Sequence, residues 1–199
     1  MKESIGRKIL NKHNEFLGRK QQKATQQLGR HEIDARLSKE AYEKKRQDFN
    51  EWMVEKYHNN AEHGVWINNK LKEIKVAFRG TDNLKDLGTD AYLALGKLKN
   101  TDRYKKEDNL IQQLKRMYPN YKITLTGHSL ASSLASELSK KYNLEGSGFN
   151  AGFGISGNIN NPNFTHYRTS TDPISILGKI RGQKFETVDG FGHSINSII

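Results

Sequence analysis

The sequence predicts an α/β layer fold: a central mixed or parallel sheet flanked by helices, preceded by a basic helical N-terminal arm. Three observations carry this reading. Strand-like and helix-like runs alternate from about Val65 onward, the order in which strands and crossover helices build layers. Val65-Trp66-Ile67 and Glu73–Phe78 flank the turn-like cluster Asn68-Asn69-Lys70 and read as a β-hairpin. Further on, a short apolar run at Tyr121–Thr126 passes directly into a small-residue turn and a helical repeat.

Taken in order, Arg19–Arg30 is almost wholly polar, and Met1–Arg30 carries most of its charges as Lys or Arg. Such a segment cannot bury enough apolar area to offset its ordering entropy. Residues 1–32 therefore read as a mobile or loosely helical arm, and residues 33–199 as the folded domain. From Ile33 to Tyr57 a helical period runs through Ile33, Leu37 and Ala41 and continues in Phe49, Trp52 and Met53. Ser38 is a candidate N-cap within it. Ile74, Val76 and Phe78 alternate with Lys75 and Ala77, the period-2 mark of a strand. Gly80 ends that strand, and Thr81–Leu98 reads as mostly helical. Glu107–Tyr118 is a second helix, with Leu110, Ile111, Leu114 and Met117 on one face and Pro119 stopping it. After the strand Tyr121–Thr126, a helix carries Leu130, Leu134 and Leu138 at i, i+4, i+8. Gly146–Gly154, Tyr167–Thr171 and Phe185–Val188 are strand-like, and Asn158–Asn163 reads as a loop.

Composition narrows the chemistry. Of 199 residues, 33 are Lys or Arg against 22 Asp or Glu, a net charge of +11. That balance favours anionic partners and says nothing about fold. With no cysteine, disulfides, thiolate zinc sites, iron–sulfur clusters and a Cys nucleophile are excluded. No run approaches the roughly 18 apolar residues of a membrane span. The first residues lack the apolar centre of a signal peptide. The expectation is a soluble protein.

The feature that carries chemistry is Gly127-His128-Ser129-Leu130-Ala131. A serine hydroxyl is a poor nucleophile at neutral pH and has to be placed and deprotonated by a neighbour. A sharp strand-to-helix turn does the placing, and small flanking residues let strand and helix approach. The competing reading is a Ser N-cap at a helix start. The partners expected downstream are an acid and then a histidine. Asp172, followed by Pro173, and His193 satisfy that order, with Asp189 the competing acid. The backbone N–H of Leu130 is one candidate donor to a developing oxyanion. The second is expected from Arg79-Gly80-Thr81, where Thr81 offers an N–H and a hydroxyl that Asp90 can hold in position. Gly152–Gly157 matches G-x-G-x-x-G, but Asn158–Pro162 cannot supply the helix N-terminus a pyrophosphate needs. His58, Glu62 and His63 lack zincin spacing. No cofactor or metal is called for.

These residues resemble the class 3 (fungal-type) lipases, a branch of the α/β-hydrolases. The pieces that match are Val76–Thr81, Asp82–Asp90, Ile123–Leu130, Gly148–Ala151, Asp172-Pro173 and Gly192-His193. The resemblance implies an α/β-hydrolase-like sheet, with Ser129, Asp172 and His193 as nucleophile, acid and base. It further implies an oxyanion hole from Thr81 and Leu130, oriented by Asp90. Three departures stand out: Ala131 replaces the family's final glycine, the Asp172-to-His193 interval is short, and only Leu84, Leu87, Tyr92 and Leu93 are candidates for a lid. The weak lid leans toward a smaller or more polar ester than a triglyceride. The basic, Asn-rich, cysteine-free character also looks like lipase-like proteins of double-stranded DNA viruses, which implies a cytoplasmic or virion-associated location.

The leading function is a serine ester hydrolase acting on lipid or another acyl ester through an acyl-enzyme, with the arm drawing it to anionic membranes. A second reading is a catalytically degenerate module whose basic arm binds an anionic membrane or, through Lys8, Lys12, Arg19, Lys20 and Lys23, nucleic acid nonspecifically. A third is a peptidase or acyltransferase on the same scaffold.

Overall fold

The computed structural model describes residues 31–80, 98–151, 161–172, 185–188 and 194–197. The chain divides into Met1–Ile33 and Asp34–Ile199, and the sheet lies wholly within the second unit. Residues 1–30 of the arm, nearly all of the expected helix Thr81–Leu98, the glycine motif 152–157 and the first part of the Asn-rich loop lie outside the described residues.

Among the described residues seven strands form one mixed sheet in sequence order. They are β1 (Met53–Val54), β2 (His63–Asn68), β3 (Glu73–Phe78), β4 (Lys122–His128), β5 (Glu145–Phe149), β6 (Phe164–Thr169) and β7 (Phe185–Val188). β1, β2 and β3 pair antiparallel, and β3 to β7 pair parallel. The hairpin is the one expected from sequence, with Ile67 opposite Ile74 and Val65 opposite Val76.

Helix α1 occupies 31–40, α2 Asp102–Met117 and α3 Leu130–Tyr142. Thr101 caps α2 by accepting from the Tyr104 N–H, and Asn143 in the left-handed region closes α3. Both helices are crossovers between neighbouring parallel strands, and they pack on one face of the sheet. There Leu110, Ile111, Leu114, Leu134 and Leu138 meet Ile74, Val76, Phe78, Ile123 and Leu125.

The other face is covered by α1, and this corrects the helix expected from Ile33 to Tyr57. The helix ends at 40, and Ser38, far from capping a start, lies buried inside it with its hydroxyl 2.8 Å from that of Thr126. Asn50 takes a positive φ of 52° in a tight turn that closes with Phe49 and Trp52 exchanging backbone hydrogen bonds. No helix passes through that conformation. Beyond it the chain alternates as a strand does, with Trp52 buried and Met53 exposed. Lys75, which alternation alone would send to solvent, is buried against Asp34 of α1, Nζ to Oδ1 2.6 Å.

Candidate active site

Ligands of parallel α/β sheets sit outside the carboxyl ends of the strands, and the candidate residues gather at those ends. Gly80 follows β3, Ser129 follows β4, Asn150 and Ala151 follow β5, and Asp172 follows β6. His193 falls in sequence between β7 and the 3-10 turn Ile195–Ser197, outside the described residues, as do Thr81, Asp90 and Asp189.

Ser129 is held at φ 58°, ψ −128°, a conformation that costs a non-glycine residue of order 1–3 kcal/mol. An ordinary N-cap residue keeps an extended backbone and caps with its oxygen. Ser129 does neither, for its side chain makes no capping hydrogen bond. Its N–H donates to Phe149 O at 3.0 Å, which pins the turn to β5. The bend brings β4 close to α3. A Cβ on Gly127 would lie 2.6 Å from Ala131 O and 3.1 Å from the Ala131 Cβ. The methyl of Ala131 is therefore accommodated because Gly127 has none of its own. Leu130 begins α3, so its N–H belongs to the first turn that helix geometry leaves without a carbonyl four residues back. The positive end of the helix dipole at that point favours negative charge.

β3 exits beside this turn. A Cβ on Gly80 would collide with the Tyr42 hydroxyl and lie 2.7 Å from His128 O. The Tyr42 hydroxyl in turn is 2.9 Å from His128 Nδ1, and the two rings meet edge-on at 5.9 Å. His128 is thus a buried packing partner of Tyr42. Asp172 is fully buried, its N–H donating to Thr169 O, which separates it from the exposed turn carboxylate that an Asp-Pro pair usually marks. Asn150, at φ 42°, ties the β5 exit to β6. Its N–H donates to Tyr167 O at 2.8 Å, and its Oδ1 accepts from the Thr169 N–H at 2.9 Å.

Of the two histidines downstream of Ser129, His166 lies within β6, buried, with Nδ1 3.3 Å from the Ser132 hydroxyl. Burial pushes its pKa down to about 4, too low for a base working near neutrality. Ile195, just beyond His193, is buried in a cluster with Ala35, Phe149 and Tyr167. Phe149 is the register partner of His128, so the C-terminal segment returns to the strand beside the serine turn. Among the described residues no three His, Asp or Glu side chains are grouped to hold a metal ion. His63 is instead 2.6 Å from Glu107. Tyr42 and the bridging role of Asn150 were not legible in the sequence, since their partners are remote and follow no spacing rule.

A mixed seven-stranded sheet flanked by helices, with a serine on a positive-φ bend between β4 and α3, is the α/β-hydrolase architecture in its class 3 lipase-like form. The chain belongs to the family described as phospholipase-like, with a Tle-like phospholipase domain, which matches residues 22–167. That match takes in Gly80 and Ser129 and stops short of Asp172 and His193. Among solved structures the chain is similar to the Lip2 lipase of Yarrowia lipolytica, at 15% identity and a TM-score of 0.59, covering 84% of this chain and 80% of that one. It is also similar to a triacylglycerol lipase of Penicillium expansum, at 16% identity and a TM-score of 0.52, covering 77% and 74%. The Rhizomucor miehei lipase–propeptide complex aligns at 15% identity and a TM-score of 0.52, covering 79% and 65%. At such identities the likeness is one of fold. No curated protein matches in sequence.

Proposed function

We propose that this protein is a serine carboxylic-ester hydrolase acting on lipid esters, with phospholipids the first substrates to test. Family and fold support ester hydrolysis as the general activity. The observation that carries the finer reading is the strained backbone of Ser129 at the end of β4, with a hydroxyl that does not cap the helix behind it.

In this reading Ser129 Oγ attacks the ester carbonyl while His193 takes its proton. Asp172 orients the imidazole and balances its charge, and a buried carboxylate suits that task because burial strengthens the pairing. The oxyanion is received by the N–H of Leu130 and by Thr81, which Asp90 orients. His193 returns the proton to the departing alkoxide, leaving an acyl-enzyme on Ser129 that water hydrolyses by the same steps. The packing of Ile195 against the Phe149 cluster supports His193 as the base. The basic arm, 1–32, brings the domain to anionic lipid surfaces, and among the described residues no helix is long and apolar enough to cross a membrane.

The test is turnover of a panel of short-chain p-nitrophenyl esters and phospholipids by the wild type and Ser129→Ala. Turnover is expected in the wild type and is expected to fall by several orders of magnitude in the variant. Equal rates would remove Ser129 as nucleophile. Deleting the arm is expected to weaken binding to anionic liposomes most at low salt; unchanged binding would remove it from the mechanism.

A further inference from the structure

The exit of β3 is gripped from α2 by a partly exposed guanidinium with a buried carboxylate behind it. Arg103, in the first turn of α2, donates through Nη2 to two carbonyls, Glu62 O at 3.0 Å and Arg79 O at 2.5 Å. The same hairpin end is closed by Arg79 N–H donating to Glu62 O at 2.8 Å. Behind Arg103 stands Glu107, one helical turn on and fully buried, with Oε1 4.0 Å from Arg103 Nε. Its other oxygen is 2.6 Å from His63 Nδ1, and His63 Nε2 is 2.7 Å from His58 O. The Glu107 carboxylate thus lies between His63 and the Arg103 side chain, whose Nη2 reaches the Arg79 carbonyl.

A plain helix–strand tie would not need this arrangement. Burying a carboxylate is expensive unless it is paired, and a hydrophobic contact would join α2 to β3 at lower cost. The Arg103 guanidinium, donating to two carbonyls with the Glu107 carboxylate behind it, has little freedom left, and it sets the plane of the Arg79–Gly80 peptide. Gly80 is the residue that has no room for a Cβ between the Tyr42 hydroxyl and His128 O, beside the Ser129 turn. A tilt of the Arg79–Gly80 peptide therefore changes how the end of β3 meets that turn.

We infer that Arg103, oriented by Glu107, is a positioning residue for the hydrolytic site, holding the Arg79–Gly80 peptide in the register that transition-state stabilisation at Ser129 requires. This rests on the serine hydrolase reading. The residue touches no reacting atom. Its effect falls on the transition state, where small misplacements are costly, and not on ground-state ester binding.

The experiment uses the full chain as wild type, Arg103→Met, Arg103→Lys, Glu107→Gln and Ser129→Ala, with kcat and KM on a short-chain ester and inhibition by an alkylboronic acid that mimics the tetrahedral adduct. Arg103→Met is expected to lose about tenfold to a hundredfold in kcat with KM within about twofold, and boronate affinity is expected to weaken by a similar factor. Arg103→Lys, which restores a cationic donor, recovers part of both. Glu107→Gln, nearly isosteric, shows the same pattern at smaller size and serves if Arg103→Met does not fold. Wild-type kcat and boronate affinity in folded Arg103→Met overturn the inference, as does a loss confined to KM. A wild type with no Ser129-dependent turnover is a separate result, read before any Arg103 variant: it defeats the hydrolase reading and this inference with it.

Discussion

The two faces of the sheet differ in what lies under their helices, although Ala35 of α1 also joins the apolar cluster of Phe149, Tyr167 and Ile195. On the α2–α3 face, Leu110, Ile111, Leu114, Leu134 and Leu138 lie on apolar strand residues, and area removed from water does the stabilising. On the α1 face the strands present Lys75, Thr124, Thr126 and Ser147, all buried. Asp34 of α1 accepts from Lys75 Nζ through one oxygen and from the Ser147 hydroxyl through the other, both at 2.6 Å. Lys75 also reaches the Thr124 hydroxyl at 3.3 Å and lies 5.1 Å over the Trp52 ring. Apolar packing tolerates substitution by volume. A buried polar network does not, because each member satisfies another that cannot reach water.

The sharpest way to break that contrast is Asp34→Ala, which leaves Lys75 and Ser147 buried without their acceptor. It is expected to cost about 3–5 kcal/mol, read as a lower urea midpoint at unchanged m. On the apolar face, Leu114→Ala is expected to cost about 2–5 kcal/mol as transfer plus cavity. Ile111→Val in the same cluster should cost only about 1 kcal/mol, the graded response a polar network lacks.

The apolar face carries its own titrating group in His166, whose pKa is lowered from 6.5 to about 4 by burial. Its unfolded form takes up a proton first, so stability is complete above about 6.5 and declines as pH falls toward about 4, by at most about 3 kcal/mol. Urea titrations of the wild type and His166→Gln across that window check this; an identical slope in both would remove His166 as the cause. The smallest effect is expected where both charges of the polar face are replaced together. Asp34→Leu with Lys75→Met should fall far short of the Asp34→Ala loss, since removing a buried pair whole leaves no orphaned charge.

Legibility follows the same division. The hairpin was readable from two apolar runs around an Asn-rich turn, β3 and β4 from alternation, the later parallel strands only from composition, and α2 and α3 from their apolar stripes. The serine turn was readable because strand, small residues and helix are contiguous. The stripe through Phe49, Trp52 and Met53 misled, since its spacing fits a helix while Asn50 turns the chain at positive φ. Alternation placed Lys75 opposite Ile74 and Val76 correctly, but could not say that its face is covered by α1. Chain order alone points to Asp172 as the candidate acid. Its complete burial is a tertiary fact.

By itself the sequence determined most local elements from β2 onward and the serine motif, because backbone propensity, hydrophobic period and turn chemistry act between near neighbours in the chain. Only the tertiary structure decided that Asp34 meets Lys75 and Ser147, that Tyr42 meets His128, and that Arg103 grips the Arg79 carbonyl. Those pairs join groups far apart in the chain, and hydrogen bonds between remote residues obey the geometry of the packed layers, which no spacing in the sequence records.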